Sequence, residues 1–340
     1  MCESVVTTTL RSVWPAVEVK DMRPLTGGQW ATMARLSLAG TPDGIPDQVV
    51  LRVAPDAAMG AKELAVQAAA NDAGIVTPRI HVTGGAGGPL VGAWAVMDLA
   101  PGQPLLAGLD GDAAIRRLPS LLRQLPRRLA GTMAMIHGID PGPVTERVRA
   151  AAPTVAFTVD ELWAHLHAAS DALADDELTG ALERLHDTQP PQHGSVLCHG
   201  DLHPFNLLAV GDQVTVLDWT GAVVAPAAYD VALTWLLLRH PPLAASALFR
   251  PAISAGAAVM ARRFVASYRQ TAPAAADLGR LDWYAALHAA RVLIDLARWQ
   301  RDSDPRAERH PWRLVAPGAA KALTRATGLR VGVGVGRSTG

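Results

Sequence analysis

The sequence predicts an α+β protein with a small β-rich N-terminal lobe, residues 1–99, and a larger, mostly helical C-terminal lobe, residues 100–327. Apolar and β-branched runs bounded by turn residues occur in the first lobe, most clearly at 48–53. Long amphipathic patterns with helical spacing occur in the second, as at 118–137. A chain of 340 residues is long enough for two lobes with sizeable cores. The glycine-rich end, residues 328–340, is predicted to be a disordered tail.

Composition and charge limit the function classes. The formal net charge is zero, so charge suggests no nucleic-acid or membrane partner. Two cysteines, Cys2 and Cys198, give neither a disulfide framework nor a zinc pattern. The beginning of the chain lacks a basic segment with an apolar stretch, and charged residues interrupt the most apolar region, so we expect no secretory signal and no membrane span. A cytoplasmic protein, either monomeric or homodimeric, is the expectation.

The first predicted strand ends in a glycine turn. Residues 17–25 alternate in part between apolar and polar side chains and run into Gly27 and Gly28. Two adjacent glycines let a backbone approach a phosphate group closely, but they suit an ordinary hairpin turn equally well. Both uses of this turn stay open.

A strand, a helix and another strand complete the N-terminal lobe. Residues 48–53 have a convincing strand pattern and carry Arg52. Residues 61–73 have a helical pattern and carry Glu63. A third strand, predicted at 94–98, leads into a Pro-Gly turn that ends the lobe.

The C-terminal lobe is predicted from its helical patterns. The helix at 118–137 ends before Gly138, a typical C-cap residue. Residues 160–185 are helical and acidic, which suits either a cationic substrate or, as we slightly prefer, a solvated helix face. Tryptophans in this lobe can stack on sugar rings, although contacts between buried helices are the commoner use; these are Trp235, Trp283 and Trp299.

The most informative stretch is a strand–loop–strand pattern at 196–208 with a hairpin after it. Four residues separate Asp201 from Asn206, as they separate the base Asp from the metal-binding Asn in the catalytic loop of protein kinases. Asp218 ends a further apolar run and precedes an aromatic residue, as does the metal-binding Asp of a kinase Asp-Phe-Gly segment. Gly211 is the turn signal of the hairpin between them. Two such matches in this order are a strong signal.

The chemistry of phosphoryl transfer explains why these residue types are needed. The protein mainly positions the reactants, while magnesium neutralises phosphate charge. Mg²⁺ prefers hard oxygen ligands and keeps several waters, so the carboxylate of Asp218 and the amide oxygen of Asn206 suffice. Asp201 would accept or orient the proton of the attacking hydroxyl. The alternative, ordinary loop residues making Asx-turns, suits Asp201 or Asn206 alone but not the ordered set.

Residues 199–206, His-Gly-Asp-Leu-His-Pro-Phe-Asn, followed by Leu-Asp-Trp at 217–219, resemble the aminoglycoside phosphotransferase and choline-kinase-like family of small-molecule kinases. The resemblance implies the bilobal protein-kinase-like fold. It also implies phosphorylation of a hydroxyl group on a small molecule, with ATP or GTP as the donor and Mg²⁺ as the metal.

The resemblance assigns nucleotide-binding roles in the N-terminal lobe. Arg52 would supply the third-strand cation that holds the phosphates, and Glu63 on the next helix would hold Arg52. Lysine is usual at this position in protein kinases, but arginine occurs among the small-molecule relatives. The alternative is an arginine on a solvated strand face. Backbone groups of Met97, Asp98 and Leu99 would bind the adenine at the hinge between the lobes.

The resemblance also assigns support of the catalytic loop. Asp230 would hold this loop by hydrogen bonds, and His199 and His203 would belong to the same support. The chain departs from the family's usual Gly-Asp-Pro before this helix, because it has Ala-Pro-Ala at 225–227. The departure concerns the loop on the substrate side.

Two function classes fit the sequence. One is an active small-molecule kinase, and the other is a nucleotide-binding pseudokinase with a regulatory or scaffolding role. The joint presence of Asp201, Asn206 and Asp218 favours the active enzyme. Within it, antibiotic resistance through an aminoglycoside or macrolide and metabolism of an amino sugar or choline-like amine both stay open.

Overall fold

The computed structural model describes residues 1–25, 30–85, 87–106, 111–191, 194–242, 250–272, 276 and 278–332, without the side chains of 111–119 and 250. In chain order the elements are α1 (Glu3–Val13), β1 (Glu18–Leu25), β2 (Thr32–Ala39), β3 (Gln48–Ala54), α2 (Ala57–Asp72), β4 (Ile80–Gly84), β5 (Ala93–Asp98), β6 (Gln103–Pro104), α3 (Gly111–His137), α4 (Pro141–Ala151), α5 (Val159–Asp171), α6 (Asp176–Asp187), β7 (Ser195–Cys198), β8 (Leu207–Val210), β9 (Gln213–Val216), a 3₁₀ turn (Trp219–Gly221), β10 (Val223–Pro226), α7 (Ala227–Arg239), α8 (Arg250–Thr271), α9 (Leu281–Arg301), α10 (Arg306–Arg309) and α11 (Trp312–Thr327).

These elements form two compact units. The first unit contains residues 1–105, 140–155 and 205–222, and the second contains 106–139, 156–204 and 223–340. In the described part of the first unit, strands pair antiparallel in the order β1-β2-β3-β5-β4. Because successive strand residues point to opposite faces, Leu36, Val49, Leu51 and Val96 share a fully buried face, against which Leu10 of α1 packs.

The other face of β3 carries Arg52 and packs near α2. Asp56 caps α2 by accepting hydrogen bonds from the backbone N–H groups of Ala58 and Met59. Gly60 lets the helix approach the sheet closely, since a Cβ at this position would lie 2.7 Å from the Cβ atoms of both Ala54 and Ala93. This packing fixes the level at which the next turn of α2, with Glu63, faces the strand.

A small sheet in the first unit carries the predicted hairpin. Strand β8 pairs with β9 and with the short β6. Gly211 has φ = 60° at the turn between β8 and β9, a conformation that glycine adopts at low cost. Asp218 follows β9 and begins the 3₁₀ turn.

The second unit is mainly helical. Helix α7 lies at its centre, where residues 227–234 are all buried. Helices α8 and α9 pack on α7, and α11 packs on α9. Strands β7 and β10 pair antiparallel; β7 leads into the loop that carries Asp201, and β10 leads directly into α7. None of the described helices is long and apolar enough to cross a membrane.

The predicted fold class is confirmed, with a β-sheet N-terminal region and a helical C-terminal region. The single acidic helix expected at 160–185 is wrong, because the chain breaks into α5 and α6 at Ala174, which has φ = 51°. Part of the predicted tail makes contacts: Val331 is buried, and the Gly332 N–H donates to Glu177. Residues 333–340 lie outside the described part of the chain.

Candidate active site

The first unit brings Arg52 and Glu63 into direct contact. The Arg52 Nη2 atom lies 2.7 Å from one carboxylate oxygen of Glu63 and 2.8 Å from the other. One nitrogen therefore serves both oxygens. Arg52 is only 9 % exposed and Glu63 only 1 %, so the alternative of an arginine on a solvated strand face is wrong.

Asp218 is the second carboxylate beside Arg52. Its Oδ1 atom lies 3.6 Å from Arg52 Nη2 and accepts a hydrogen bond of 2.6 Å from the Thr220 hydroxyl. The backbone of Asp218 is left-handed, with φ = 62° and ψ = 78°. Such a conformation costs free energy in a non-glycine residue and is concentrated at functional sites, where the surrounding structure enforces it.

Thr220 and Lys62 belong to this group, although sequence reasoning did not select them. Lys62 on α2 is buried, and its Nζ donates to the Thr220 carbonyl at 3.3 Å. The Thr220 hydroxyl also lies 3.4 Å from Arg52 Nη2. A threonine two residues after an aspartate is a recognisable turn signal, whereas nothing in the spacing of Lys62 marks it.

Burial and charge oppose each other in this cluster. Burial alone lowers the pKa of Arg52, but the carboxylates of Glu63 and Asp218 outweigh it and raise that pKa above its ordinary value. Burial raises the pKa of Glu63 above its ordinary value, and Arg52 opposes this shift. The guanidinium therefore stays charged, and the two nearby acids compete for it.

The β8–β9 hairpin places Asn206 opposite Leu217, the residue before Asp218. Leu207 pairs with Val216, and the Leu217 N–H donates to the Asn206 carbonyl at 2.9 Å. The side chain of Asp218 is 39 % exposed, so its carboxylate is accessible to a ligand. An amide oxygen and a carboxylate are hard oxygen donors, which suit Mg²⁺.

The predicted adenine-binding residues lie at the end of β5. Met97 is buried between Val50 and Ile80 of the neighbouring strands. The Asp98 N–H is already used, because it donates to the Arg79 carbonyl at 2.9 Å. Leu99 follows the strand and is partly buried. The predicted glycine turn at Gly27 and Gly28 lies outside the described residues.

The second unit fixes the loop that carries Asp201. The Asp230 carboxylate accepts hydrogen bonds from the backbone N–H groups of His199 and Gly200, both at 2.9 Å. Thr234, one turn further along α7, donates from its hydroxyl to the Leu202 carbonyl at 2.6 Å. Helix α7 therefore holds the backbone on both sides of Asp201.

Asp230 is itself held by a buried chain of side chains. His137 Nε2 lies 3.1 Å from Asp230 Oδ2, and His137 Nδ1 lies 2.5 Å from the Tyr268 hydroxyl. Burial alone would raise the pKa of Asp230, but the hydrogen bond and charge of His137 and the His199 N–H outweigh it and hold that pKa below its ordinary value. The sequence did not identify His137, Tyr268 or Thr234.

In the described part of the chain, His137, Asp230 and the Cys198 thiol are the His, Cys, Asp and Glu groups close enough to share one metal ion. All three are buried, and the hydrogen bonds of His137 and Asp230 already account for their polar atoms. Imidazole and thiol ligands also suit Mg²⁺ poorly. This group is therefore part of the loop support.

Asp201 lies on the exposed side of the fixed loop. Its side chain is 31 % exposed, and His203 Nε2 lies 3.6 Å from its Oδ2 atom. His199 is fully buried, and its backbone N–H donates to Asp230. The structure thus pairs Asp201 with His203 in the second unit, and Arg52, Glu63 and Asp218 in the first.

Comparison with known proteins gives one family and many structural relatives. The model of the phosphotransferase enzyme family matches residues 22–268. No curated protein matches the sequence significantly. Among solved structures, aminoglycoside phosphotransferase APH(4)-Ia is 18 % identical, with a TM-score of 0.60 over 96 % of this chain and 99 % of that one.

Two further solved structures are similar. A GDP complex of aminoglycoside 2'-phosphotransferase-IIIa is 17 % identical, with a TM-score of 0.59 over 96 % of this chain and 98 % of that one. The macrolide 2'-phosphotransferase MphH from Brachybacterium faecium is 18 % identical, with a TM-score of 0.53 over 94 % and 97 %. At these identities the likeness establishes the fold. The family match covers most of the chain, so the protein belongs to the phosphotransferase enzyme family.

Proposed function

We propose that the protein transfers the terminal phosphoryl group of ATP or GTP to a hydroxyl group of a small molecule in a magnesium-dependent reaction. Asp201 is the base, Asn206 and Asp218 hold the metal, and Arg52 binds the phosphates while Glu63 orients it. The contact of Arg52 with Glu63, beside the left-handed Asp218, carries this proposal. A cation and a metal-binding carboxylate side by side suit a nucleotide phosphate chain.

The chain's own residues act mainly by position. Glu63 and Thr220 limit the directions that Arg52 and Asp218 can take, which lowers the entropy lost when a nucleotide binds. Bound Mg²⁺ supplies positive charge that stabilises the phosphoryl group in the transition state. Asp201 accepts the proton of the acceptor hydroxyl, and its loop is held in place by a backbone N–H that donates to Asp230 and by the Thr234 hydroxyl, which donates to the loop.

A catalytic role fits better than a pseudokinase role, because the base and both metal-binding residues are present in the expected order. The similar structures include enzymes named for aminoglycosides and for macrolides, so antibiotic modification in the cytoplasm is one form of the proposed function. One similar structure holds ADP with hygromycin B and another holds GDP, which supports either nucleotide as donor.

The base assignment is tested with Asp201→Asn. We expect a loss of turnover of about 10²–10⁴-fold, because the amide cannot accept the proton, while nucleotide affinity stays near that of the wild type. Turnover is measured by ADP or GDP release with a library of hydroxyl compounds, and affinity by calorimetry. Wild-type turnover in this variant would show that Asp201 is not the base.

The metal assignment is tested with Asp218→Ala. This variant should lose the part of ATP affinity that depends on Mg²⁺, because the proposed anionic ligand is gone. Calorimetry with ATP in the presence and absence of Mg²⁺ measures this part directly. Asp212→Ala, which removes an exposed carboxylate from the nearby hairpin turn, is the matched control. An unchanged magnesium effect in Asp218→Ala would place the metal elsewhere.

A further inference from the structure

The 3₁₀ turn that follows Asp218 is connected to helix α2 by a buried lysine. Lys62 is only 4 % exposed, and its Nζ atom donates a hydrogen bond of 3.3 Å to the Thr220 carbonyl. Lysine side chains are seldom buried to this extent unless they are paired, because the ammonium group loses its hydration. Lys62 has no role in the proposed function, so its burial needs another explanation.

Thr220 connects Lys62 to the carboxylate of Asp218. The Thr220 carbonyl accepts the hydrogen bond from Lys62, and the Thr220 hydroxyl donates one of 2.6 Å to Asp218 Oδ1. The Thr220 N–H donates to the same oxygen at 3.4 Å. We call Lys62, Thr220 and Asp218 the lysine–threonine–aspartate chain, because their contacts run from the helix to the proposed metal-binding carboxylate.

A second contact holds the aromatic ring that follows Asp218. Trp219 is fully buried, and its indole Nε1 donates to the Thr77 hydroxyl at 3.1 Å. This contact does not involve Thr220. The hydrogen bond from Lys62 therefore restrains a part of the turn that the indole does not.

Asp218 needs such a restraint because its backbone is left-handed. With φ = 62° and ψ = 78°, this aspartate has a conformation that is unfavourable for a residue with a Cβ atom and that persists only when the surrounding structure enforces it. If the turn were released, the backbone would relax toward ordinary values, and the carboxylate would change its direction. A carboxylate that binds Mg²⁺ must point at the ion, because Mg²⁺ demands near-ideal octahedral geometry.

Direct binding of a nucleotide phosphate is the other role that a lysine can have at this place. The exposures of the two charged groups argue against it. The side chain of Asp218 is 39 % exposed, whereas Lys62 is buried and already donates to a carbonyl. A ligand therefore has access to the carboxylate and little access to the ammonium group.

We propose that Lys62 is a positioning residue for the metal-binding carboxylate: it holds the Thr220 carbonyl, and the Thr220 hydroxyl in turn directs Asp218. Lys62 and Glu63 are consecutive residues of α2. One turn of this helix therefore positions the metal ligand through Thr220 and the phosphate-binding guanidinium through Glu63. The proposal rests on the proposed function, since it takes Asp218 as a ligand of Mg²⁺.

The first test measures the turn in the absence of nucleotide and metal. Lys62→Met removes the ammonium group and keeps a long unbranched side chain that can stay buried. Hydrogen–deuterium exchange of peptides that cover residues 217–222 should become about 5-fold faster, because the loss of one hydrogen bond makes local opening easier by about that factor. Lys62→Arg keeps a cationic donor and should restore much of the protection.

The second test measures the metal-dependent part of nucleotide binding. Calorimetry gives the dissociation constants of ATP with and without Mg²⁺, and we call their ratio the magnesium effect. In Lys62→Met this effect should fall about 5-fold, while the affinity for ATP without Mg²⁺ stays close to that of the wild type. A merely structural defect would leave the ratio unchanged, because it would weaken both kinds of binding alike.

Gln67→Met is the matched control on the same helix. Gln67 is buried and donates to the Pro78 carbonyl at 2.7 Å, so this variant also loses a buried hydrogen bond to a backbone carbonyl. It should change neither the exchange of residues 217–222 nor the magnesium effect.

Thr220→Val tests the other half of the lysine–threonine–aspartate chain and gives a second route if Lys62→Met does not fold. It removes the hydroxyl that donates to Asp218 and should also lower the magnesium effect, whereas Thr220→Ser keeps a hydroxyl and should retain it. The two substitutions Lys62→Met and Thr220→Val together should lower the effect by less than the product of their separate factors, because both break the same chain.

The outcomes separate this proposal from the proposed function. An unchanged magnesium effect in Lys62→Met would overturn the proposal, and so would an equal loss of ATP affinity with and without Mg²⁺. If Asp218→Ala leaves the magnesium effect unchanged while Lys62→Met speeds exchange, the metal assignment of the proposed function fails and the connection between α2 and the turn stands. If Asp218→Ala loses the effect and Lys62→Met keeps it, the proposed function stands and Lys62 does not position the carboxylate.

Discussion

The two regions that carry the proposed site residues are stabilised in different ways. In the first unit, Arg52 is shared between two carboxylates, Glu63 at 2.7 Å and Asp218 at 3.6 Å. In the second unit, the Asp230 carboxylate accepts hydrogen bonds of 2.9 Å from two backbone N–H groups, and His137 Nε2 lies 3.1 Å from its Oδ2 atom. In the first region two carboxylates compete for one guanidinium. In the second, the hydrogen-bond donors around Asp230 each have an acceptor.

This difference indicates which region is built to change partners. A guanidinium between two acids can turn toward a phosphate and still stay close to both carboxylates. Neither acid is then left buried without a nearby cation. A carboxylate that already accepts backbone and imidazole donors has no such freedom. We therefore expect ligands to alter the surroundings of Arg52 and to leave the Asp230 network unchanged.

The largest effect is expected from removing the support of the base loop. Asp230→Ala leaves two backbone N–H groups and His137 without their acceptor, and should lower the free energy of unfolding by about 3–5 kcal/mol. Urea unfolding followed by circular dichroism measures this. Thr234→Val removes one hydrogen bond to the same loop and should cost only about 1–3 kcal/mol. Equal losses in the two variants would mean that Asp230 contributes no more to stability than the single hydrogen bond of Thr234.

A smaller effect is expected in the Arg52 region. Arg52→Lys should weaken ATP binding, because lysine is shorter than arginine and its one nitrogen, if it replaces Nη2 beside the two carboxylates, leaves no second nitrogen for a phosphate. Glu63→Gln should have a related but smaller effect, since Asp218 remains beside Arg52. The double-mutant cycle in ATP affinity should give a coupling of about 0.5–3 kcal/mol. Additive effects would show that the contact between Arg52 and Glu63 plays no part in nucleotide binding.

A change of pH should act on the second unit, where its effect within one pH unit is small. His288 is buried, its Nε2 lies 2.8 Å from the Tyr229 carbonyl, and its Nδ1 has no partner among the described residues. Burial, with Arg291 nearby, lowers the pKa of His288 to about 3. Below an ordinary unfolded pKa of about 6.5, the unfolded chain binds a proton that the folded chain does not, so stability falls as pH falls from there toward 3.

The pKa shift of His288 sets the size of this pH dependence, and a variant without the imidazole isolates it. His288 should contribute about 1.2 kcal/mol to the change in the free energy of unfolding between about pH 6 and pH 5. His288→Gln keeps an amide donor for the Tyr229 carbonyl and removes the titration, so its unfolding should depend on pH by about that much less. Thermal or urea unfolding of both proteins at each pH is the measurement. An identical slope in the variant would mean that His288 is protonated in the folded protein.

The sequence predicted much of the first region because its residues follow one another in regular elements. Arg52 and Glu63 lie on a strand and on the next helix, and a strand–helix pattern with these charges is visible from periodicity alone. The hairpin between Asn206 and Asp218 was equally visible from Gly211. Their roles in catalysis remain predictions that the variants above test.

The support of the base loop was less visible, because its members are far apart in sequence. Tyr268 and His137 meet across 131 residues, and no local pattern marks either one. The break between α5 and α6 was missed for another reason. Asp175 is a helix cap, but it stands among acids that together suggested one continuous solvated face. Sequence periodicity thus identified elements better than it identified their ends or their distant partners.

The close packing of α2 through Gly60 bears on how such an enzyme is regulated. A side chain at this position would collide with both Ala54 and Ala93, so α2 packs closer to the sheet than any residue other than glycine would allow. Swinging α2 outward, which would switch activity off by separating Glu63 from Arg52, would leave a gap along this contact. We therefore expect an enzyme that needs no activation step. Its rate should depend on the concentrations of its two substrates and on the amount of protein.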